Sequence, residues 1–140
     1  MKAFIDTSSL LKLYHNEIDS DKILNGIVNI DEIYLCEIAI LEFRSAIWKK
    51  VREGNIKQDI AVEAIKCFHD DYANFQWINL DAKIIESASE LLMKYGNKGL
   101  RTLDSLQLAS ALILKNKPCV FFTSDKLLKS LFIEESLNVL

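Results

Sequence analysis

Four carboxylate side chains, those of Asp6, Glu42, Asp104 and Asp125, are the residues of this chain with the clearest capacity for joint chemistry. They are hard oxygen ligands with no His or Cys beside them, a set that favours Mg²⁺ or Mn²⁺ over zinc. A cation held by such a set can polarise a phosphoryl oxygen and lower the pKa of a bound water. If the fold brings them together, they predict a metal site for phosphodiester hydrolysis.

The elements that must position these acids alternate between short apolar runs and longer segments with helical periodicity. Predicted strands cover 2–5, 32–35, 76–78, 119–122 and 137–139, and predicted helices cover 8–14, 19–28, 37–52, 56–71, 82–95, 102–115 and 124–131. The continuous apolar run 119–122 is typical of a central parallel strand, and Gly96 stands in the C-cap position of its helix. The alternation predicts one α/β domain over 1–140, a three-layer α/β/α fold with a parallel sheet of four to five short strands.

Connectivity predicts that the four acids share one edge of the sheet. Loops that follow parallel strands lie at one edge, and Asp6 and Asp125 both follow predicted strands. Crossover helices begin at that same edge. Asp104 lies in the first turn of its helix, and Glu42 lies between one and two turns into its own. Two carboxylates about 5 Å apart repel each other by roughly 3 kcal/mol at an effective dielectric constant near 20, so protonation or a cation must relieve the cluster.

Each acid also has a purely structural interpretation. Asp6 and Asp125 could cap the helices that follow them. Asp104 could complement a helix dipole, and Glu42 could pair with a basic residue of its own helix. These interpretations are sound one by one, but they do not predict four acids on one edge, so we favour the metal site.

Hydroxyl side chains beside the acids are either helix N-caps or hydrogen-bond donors that orient the carboxylates. Thr7, Ser8, Ser9 and Thr123 belong to this group. We predict a capping role for Ser8 and a site role for Thr123. Two basic neighbours either bind substrate phosphates or form salt bridges to the acids, namely Arg101 and Lys126.

The remaining composition narrows the class of protein. Cys36, Cys67 and Cys119 are odd in number and unpaired in spacing, which predicts buried, reduced thiols in a cytoplasmic protein. His15 and His69 are predicted to be surface residues. The net charge of −3 argues against a protein that coats nucleic acid by charge alone. We expect no signal peptide and no membrane contact, because no apolar run is long enough.

Four segments of the chain resemble the PIN domain, specifically the VapC toxin ribonucleases of type II toxin–antitoxin systems. They appear in the family's order and together span essentially the whole chain: FIDTSSL (4–10), AILEFRSAI (39–47), LRTLDSLQLASAL (100–112) and FTSDKLL (122–128). The third segment is fairly specific for this family, and the four segments together are strong evidence for the resemblance. Ser105 departs from the Ala that family members often carry.

The resemblance implies a magnesium-dependent RNA endonuclease, with Mn²⁺ as a substitute. The metal would be held mainly by Asp6 and Asp104, and Glu42 and Asp125 would complete the acidic site. It also implies a homodimer, with the hairpin 37–71 as a candidate interface, and a cognate antitoxin that inserts a segment near the site. DNA would be contacted only through the antitoxin.

Three alternatives come from other classes. A PIN-like domain without catalysis, acting as an interaction or regulatory module, remains open. A haloacid-dehalogenase-type phosphatase needs a second Asp two positions after Asp6, where this chain has Ser8. A dinucleotide-binding module needs a glycine-rich first turn, and this chain has none there.

Overall fold

The computed structural model describes the whole chain, Met1–Leu140, as four strands alternating with seven α-helices. The strands are β1 (Lys2–Ile5), β2 (Glu32–Cys36), β3 (Phe75–Ile78) and β4 (Cys119–Phe122). The helices are α1 (Thr7–Tyr14), α2 (Ser20–Ile27), α3 (Ala39–Arg52), α4 (Gln58–Asp70), α5 (Ala82–Tyr95), α6 (Thr102–Leu112) and α7 (Lys126–Glu134). Short 3₁₀ turns cover Tyr72–Asn74 and Gly96–Lys98.

The sheet is wholly parallel, with the strand order β3-β2-β1-β4. β1 lies between β2 and β4, and Ile5 stands opposite Phe122 in the register. One residue further on, the backbone N–H of Asp6 donates to the Phe122 carbonyl over 3.0 Å. The predicted parallel α/β fold is confirmed, and Asp6 stands at the carboxyl end of an interior strand.

Helices cover both faces of the sheet, which confirms the three-layer prediction. Alternate residues of β1 serve the two cores: Phe4 packs in one with α5, α6 and α7, whereas Ala3 and Ile5 pack in the other with α1, α3 and α4. The period of two in a strand sends successive side chains to opposite faces. Both layers are therefore tied to the strand that ends at Asp6.

α3 and α4 form the predicted antiparallel hairpin. Phe43 near the start of α3 packs on Phe68 near the end of α4, with ring centroids 4.4 Å apart. Between the helices Gly54 has a φ of +75°, a conformation that glycine adopts without strain. The hairpin fixes α3, and therefore Glu42, against the sheet.

The C-terminal part differs from the prediction in two ways. β4 is an outer strand rather than a central one, although all four of its residues are buried. Its outer edge is covered by the segment 137–140, which contributes a single bridge from Val139 to Phe121 and not a fifth strand. The Phe121 N–H donates to the Asn138 carbonyl, and the Leu140 N–H donates to the Phe121 carbonyl. A short covering segment thus hides the edge that an apolar strand would otherwise expose.

Several local predictions were also wrong. α6 ends at Leu112 rather than 115, because hydrogen bonds of the i→i−3 type tighten its last turn before Pro118. Gly96 is the C-cap of α5 as predicted, although it keeps a helical φ of −55°, and the left-handed glycine of this segment is Gly99. Cys67 is exposed, although the other two cysteines are buried as predicted. His15 is half-buried rather than at the surface.

The helices of the structure are all too short or too polar to cross a membrane.

We expect Phe68→Ala to lower the free energy of unfolding by about 3–5 kcal/mol, because it empties a fully buried ring position between α3 and α4. Ile60→Ala on the same helix is the control, since Ile60 is 50% exposed and its truncation should change stability by less than about 0.5 kcal/mol. Urea denaturation followed by circular dichroism measures both. Equal losses in the two variants would contradict this packing.

Candidate active site

Asp6 is buried at the carboxyl end of β1 and is held by three hydrogen-bond donors. Its Oδ1 accepts from the Ser9 backbone N–H at 3.0 Å, so Asp6 is the N-cap of α1. Its Oδ2 accepts from Thr123 Oγ1 at 2.7 Å, and the Ser8 hydroxyl donates to both oxygens at 2.7 and 2.9 Å. These donors fix the orientation of the carboxylate, which is only 3% exposed.

Glu42, in the first turn of α3, is oriented by residues from both layers. Its Oε1 accepts from Thr7 Oγ1 at 3.0 Å and from Gln107 Nε2 at 2.7 Å. Gln107 Nε2 also donates to Thr7 Oγ1 at 3.0 Å, which closes a triangle of three side chains. Gln107 belongs to α6, so this triangle bridges the two helical layers at the edge of the sheet.

Asp104 and Asp125 complete the group of acids. Asp104 lies in the first turn of α6, one turn before Gln107 on the same face. Asp125 is the N-cap of α7, and its Oδ1 accepts from the Leu128 N–H at 2.7 Å. The Asp125 N–H donates to Thr123 Oγ1 at 3.1 Å, so Thr123 links this acid to Asp6.

All four acids line one cleft, which we call the acidic cleft, with a volume of about 430 Å³. None of them lies within 4 Å of a cationic side chain. The one lysine that lines the cleft, Lys49, is 3.9 Å from Glu53 instead. Negative charge is thus gathered at this edge of the sheet without an internal counter-ion.

Burial raises the pKa of three of these carboxyl groups. It raises the pKa of Asp6 to about 6, although the hydroxyls of Thr123 and Ser8 act in the opposite direction. Burial also raises the pKa of Glu42, with a smaller contribution from the charge of Asp104. The pKa of Asp104 is raised by burial and by Asp125, and the guanidinium of Arg101 partly offsets this. Carboxylates that resist ionisation in the absence of a cation are suited to binding one.

The donor set fits a hard divalent cation in its chemistry. Every candidate ligand is a carboxylate oxygen, and no His or Cys lines the acidic cleft. As the side chains stand, however, no three acidic, His or Cys residues are arranged to hold one ion. Both oxygens of Asp6 already accept hydrogen bonds within the protein. A cation at Asp6 would therefore meet this carboxylate together with the donors that orient it.

The contacts of the acids can be set against their purely structural interpretations. Asp6 and Asp125 cap helices and also line the cleft, so one role does not exclude the other. Glu42 has no basic partner: Arg44 of its own helix donates to the Ile40 carbonyl and the Tyr72 hydroxyl. Salt bridges from Arg101 and Lys126 to the acids, one of the two alternatives for these residues, are likewise absent.

Two residues of the cleft were misjudged or missed. Ser8 was predicted to cap a helix, but Asp6 is the cap, and the Ser8 hydroxyl serves the Asp6 carboxylate. Gln107 was not singled out, although it is 2% exposed and bonded to Glu42 and Thr7. A signal was present: Gln107 is a long amide three positions after Asp104 in a helix that is otherwise almost wholly apolar.

Comparison with known proteins identifies the family of this chain. A model of the PIN domain matches residues 3–131. The chain belongs to the PIN domain family. Its fold is therefore that of a PIN domain.

Individual relatives of this PIN domain are distant in sequence and close in fold. Ribonuclease VapC3 of Pyrobaculum aerophilum is 23% identical over 96 residues, which cover 69% of this chain and 72% of the relative. The crystal structure of Mycobacterium tuberculosis VapC20, described as a sarcin-ricin loop cleaving toxin, superposes with a TM-score of 0.68 at 14% identity, over 92% of this chain and 94% of that one. VapBC2 from Rickettsia felis, bound to a DNA fragment from its promoter, gives a TM-score of 0.64 at 15% identity, over 100% and 98%.

We expect ionisation of Asp6 to destabilise the metal-free PIN domain as the pH rises from about 4 to 7. The folded Asp6 binds its proton up to about pH 6, whereas an unfolded Asp releases it near 3.8. The folded state therefore holds more protons in this window, and ionisation of Asp6 costs up to about 3 kcal/mol above it. Asp6→Asn should be more stable than the wild type at neutral pH in EDTA, and this gain should vanish near pH 4.

Asp81→Asn is the matched control, because Asp81 also caps a helix at this edge of the sheet but is exposed and lies outside the acidic cleft. Asn caps as well as Asp, so this variant should follow the wild type at every pH. Urea titrations in EDTA at several pH values measure the difference. Parallel pH profiles for wild type and Asp6→Asn would contradict a buried, destabilising charge at Asp6.

Proposed function

We propose that this PIN domain is a divalent-cation-dependent ribonuclease that acts as the toxin of a toxin–antitoxin pair. The observation that carries the proposal is the acidic cleft: four carboxylates from distant parts of the chain line it without one salt bridge. A charge arrangement of this kind has a physical reason to exist if a cation completes it. The family membership and the similarity to Ribonuclease VapC3 support the choice of RNA.

In this proposal the cation, Mg²⁺ or Mn²⁺, is held mainly by Asp6 and Asp104, and Glu42 and Asp125 complete the site. The bound cation would polarise a phosphoryl oxygen and generate the attacking water. Three of these acids keep an oxygen that accepts no hydrogen bond within the protein: Glu42 Oε2, Asp125 Oδ2 and both oxygens of Asp104. Those oxygens are available to a cation or to its water molecules without breaking an existing contact.

The neighbouring side chains have positioning roles in this proposal. Thr123 and Ser8 orient the Asp6 carboxylate, and Thr7 and Gln107 orient Glu42. Ligands fixed by outer hydrogen bonds bind metal more tightly than free ones, typically by 10–100-fold. Arg101 is exposed and lines a smaller cleft together with Glu42 and Asp104. We assign its guanidinium to a substrate phosphate, since no protein carboxylate lies within 4 Å of it.

Cleavage of RNA tests the activity. We expect purified protein to cleave RNA with Mg²⁺ or Mn²⁺ and not in EDTA. Asp6→Asn and Asp104→Asn should each lower the rate by about 100-fold or more, because each removes a carboxylate that would hold the cation, and the cation would stabilise the reacting centre. Asp81→Asn should cleave like the wild type. Residual cleavage that is the same in all variants would reveal a contaminant and favour the catalytically silent interaction module.

Thermal stability tests the cation without relying on activity. Millimolar Mg²⁺ should raise the melting temperature of the wild type, because a ligand at 100 times its Kd stabilises the folded state by about 2.7 kcal/mol. The shift should be absent in Asp104→Asn and intact in Asp81→Asn. Equal shifts in all three proteins would place the bound cation outside the acidic cleft.

The partner proposals are an antitoxin and a second copy of the chain. VapBC2 of Rickettsia felis is a toxin–antitoxin complex in its crystal, which supports a cognate antitoxin here and contact with DNA through it alone. The hairpin of α3 and α4 exposes apolar side chains, with Leu41 65% and Val62 50% exposed, and this supports its proposed part in a homodimer. Light scattering of wild type and Leu41→Asp measures the dimer, which the charge should dissociate; an unchanged mass would exclude Leu41 from the interface.

A further inference from the structure

We propose that a second, basic cleft beside the acidic cleft binds the phosphate backbone of single-stranded RNA on one side of the cleavage point. This inference rests on the proposed function and deepens it. We call this the lysine cleft, because four lysines line it, Lys12, Lys22, Lys126 and Lys129. Asp125 lines both clefts, so they adjoin at the segment that follows β4.

The lysines of this cleft are set apart by the absence of acidic partners. Of the fourteen lysines in the chain, seven form salt bridges within 4 Å. Four of the remaining seven line this one cleft. The only acidic side chains in its lining are those of Asp19 and Asp125. A protein with a net charge of −3 thus has an excess of positive charge, four lysines against two acidic side chains, in one cleft that adjoins the acidic cleft.

The position of the cleft fits a chain that passes over the acidic cleft. Arg101 lines a third cleft on the far side, which shares Glu42 and Asp104 with the acidic cleft. The order along this edge is therefore the Arg101 cleft, the acidic cleft and the lysine cleft. A polyanion cut at the middle cleft would place its flanking phosphates at the two outer ones. A bound mononucleotide or free phosphate would not require three adjoining clefts.

The wall between the acidic and lysine clefts is held rigidly. The Ser124 N–H donates to Ser8 Oγ at 2.9 Å, and the hydroxyls of Ser9 and Ser124 are 2.9 Å apart. On the opposite side, Ser20 Oγ accepts from the Glu17 N–H at 2.8 Å and fixes the start of the helix that carries Lys22. The lysines thus extend from a preorganised frame, which reduces the entropy lost on binding.

The lining also indicates which part of the RNA the lysine cleft would contact. Only two apolar side chains contribute to it, those of Ile23 and Leu140, and no aromatic ring is present on which a base could stack. Lysine ammonium groups meet phosphates as point charges and carry no base code. The lysine cleft should therefore bind RNA irrespective of sequence, and selection of the RNA target must arise elsewhere.

Binding of a mixed-sequence RNA of about 12 nucleotides, a length within the usual range of single-strand sites, tests the proposal. Fluorescence anisotropy in EDTA at several salt concentrations measures affinity without cleavage, and a gel confirms that the RNA stays intact. Lys22→Gln with Lys126→Gln should weaken binding and reduce the slope of log K against log salt by about 0.7 for each lysine. Both residues are exposed, so the fold should tolerate the change.

The matched control is Lys57→Gln with Lys83→Gln, which removes the same charge from two exposed lysines that also lack salt bridges but lie outside the cleft. This pair should retain the wild-type slope. A second, opposite test is Asp19→Asn, which removes a negative charge from the lysine cleft. Asp19 has a φ of +68°, a conformation that Asn tolerates, so this variant should bind RNA more tightly than the wild type.

The outcomes separate the two proposals. Equal slopes for the two lysine pairs, or no binding in EDTA, would overturn the lysine cleft even if cleavage is normal. A slope reduced only by the Lys22 and Lys126 changes supports the cleft even if no cleavage is ever observed. An acidic peptide, poly-glutamate, separates the other class of partner: if these substitutions weaken its binding and leave RNA binding unchanged, the cleft serves a protein and the proposal fails.

Discussion

The buried carboxylate of Asp6 is the constraint on which the rest of this structure depends. It stands at the end of an interior strand, where water is excluded, and three donors hold it in place. Hydrogen bonds from Ser8 and Thr123 stabilise the charge but do not cancel the cost of burying it, because its pKa stays raised to about 6. A globular core gains nothing from such a group. Its position makes sense as a ligand whose partner is a cation.

The constraint extends to the whole domain, because elements on both faces of the sheet form the acidic cleft. Its two faces pack into separate cores, and each contributes to the acidic cleft: Glu42 comes from one helical layer, and Asp104 with Gln107 comes from the other. The triangle of Thr7, Glu42 and Gln107 joins the layers at the edge where they meet. Errors of packing on either face would therefore displace ligands, even though the acids themselves make few apolar contacts.

Topology could be predicted from the sequence because it depends on patterns that a chain displays openly. Alternating strands and helices fix a parallel sheet, and a parallel sheet fixes which ends of its elements meet, so four acids as far apart as Asp6 and Asp125 could be placed on one edge. The outer position of β4 could not be predicted, because a strand hidden by a covering segment is as apolar as a central one. The direction of a hydroxyl could not be predicted either: the Ser8 hydroxyl donates to the Asp6 carboxylate, whereas the hydroxyl of a capping serine accepts from a backbone N–H.

The order of the acids along the chain has a consequence for its synthesis. Asp6 and Glu42 lie in the first third, whereas Asp104, Gln107 and Asp125 come near the end. Domains emerge from the ribosome N-terminal end first, so a growing polypeptide carries half of the acids while the other half are still untranslated. Neither the mutual repulsion nor the proposed cation site exists until almost the whole chain has emerged. A ribonuclease of the proposed kind would thereby be inert for most of the time that it spends attached to the ribosome, which is itself made largely of RNA.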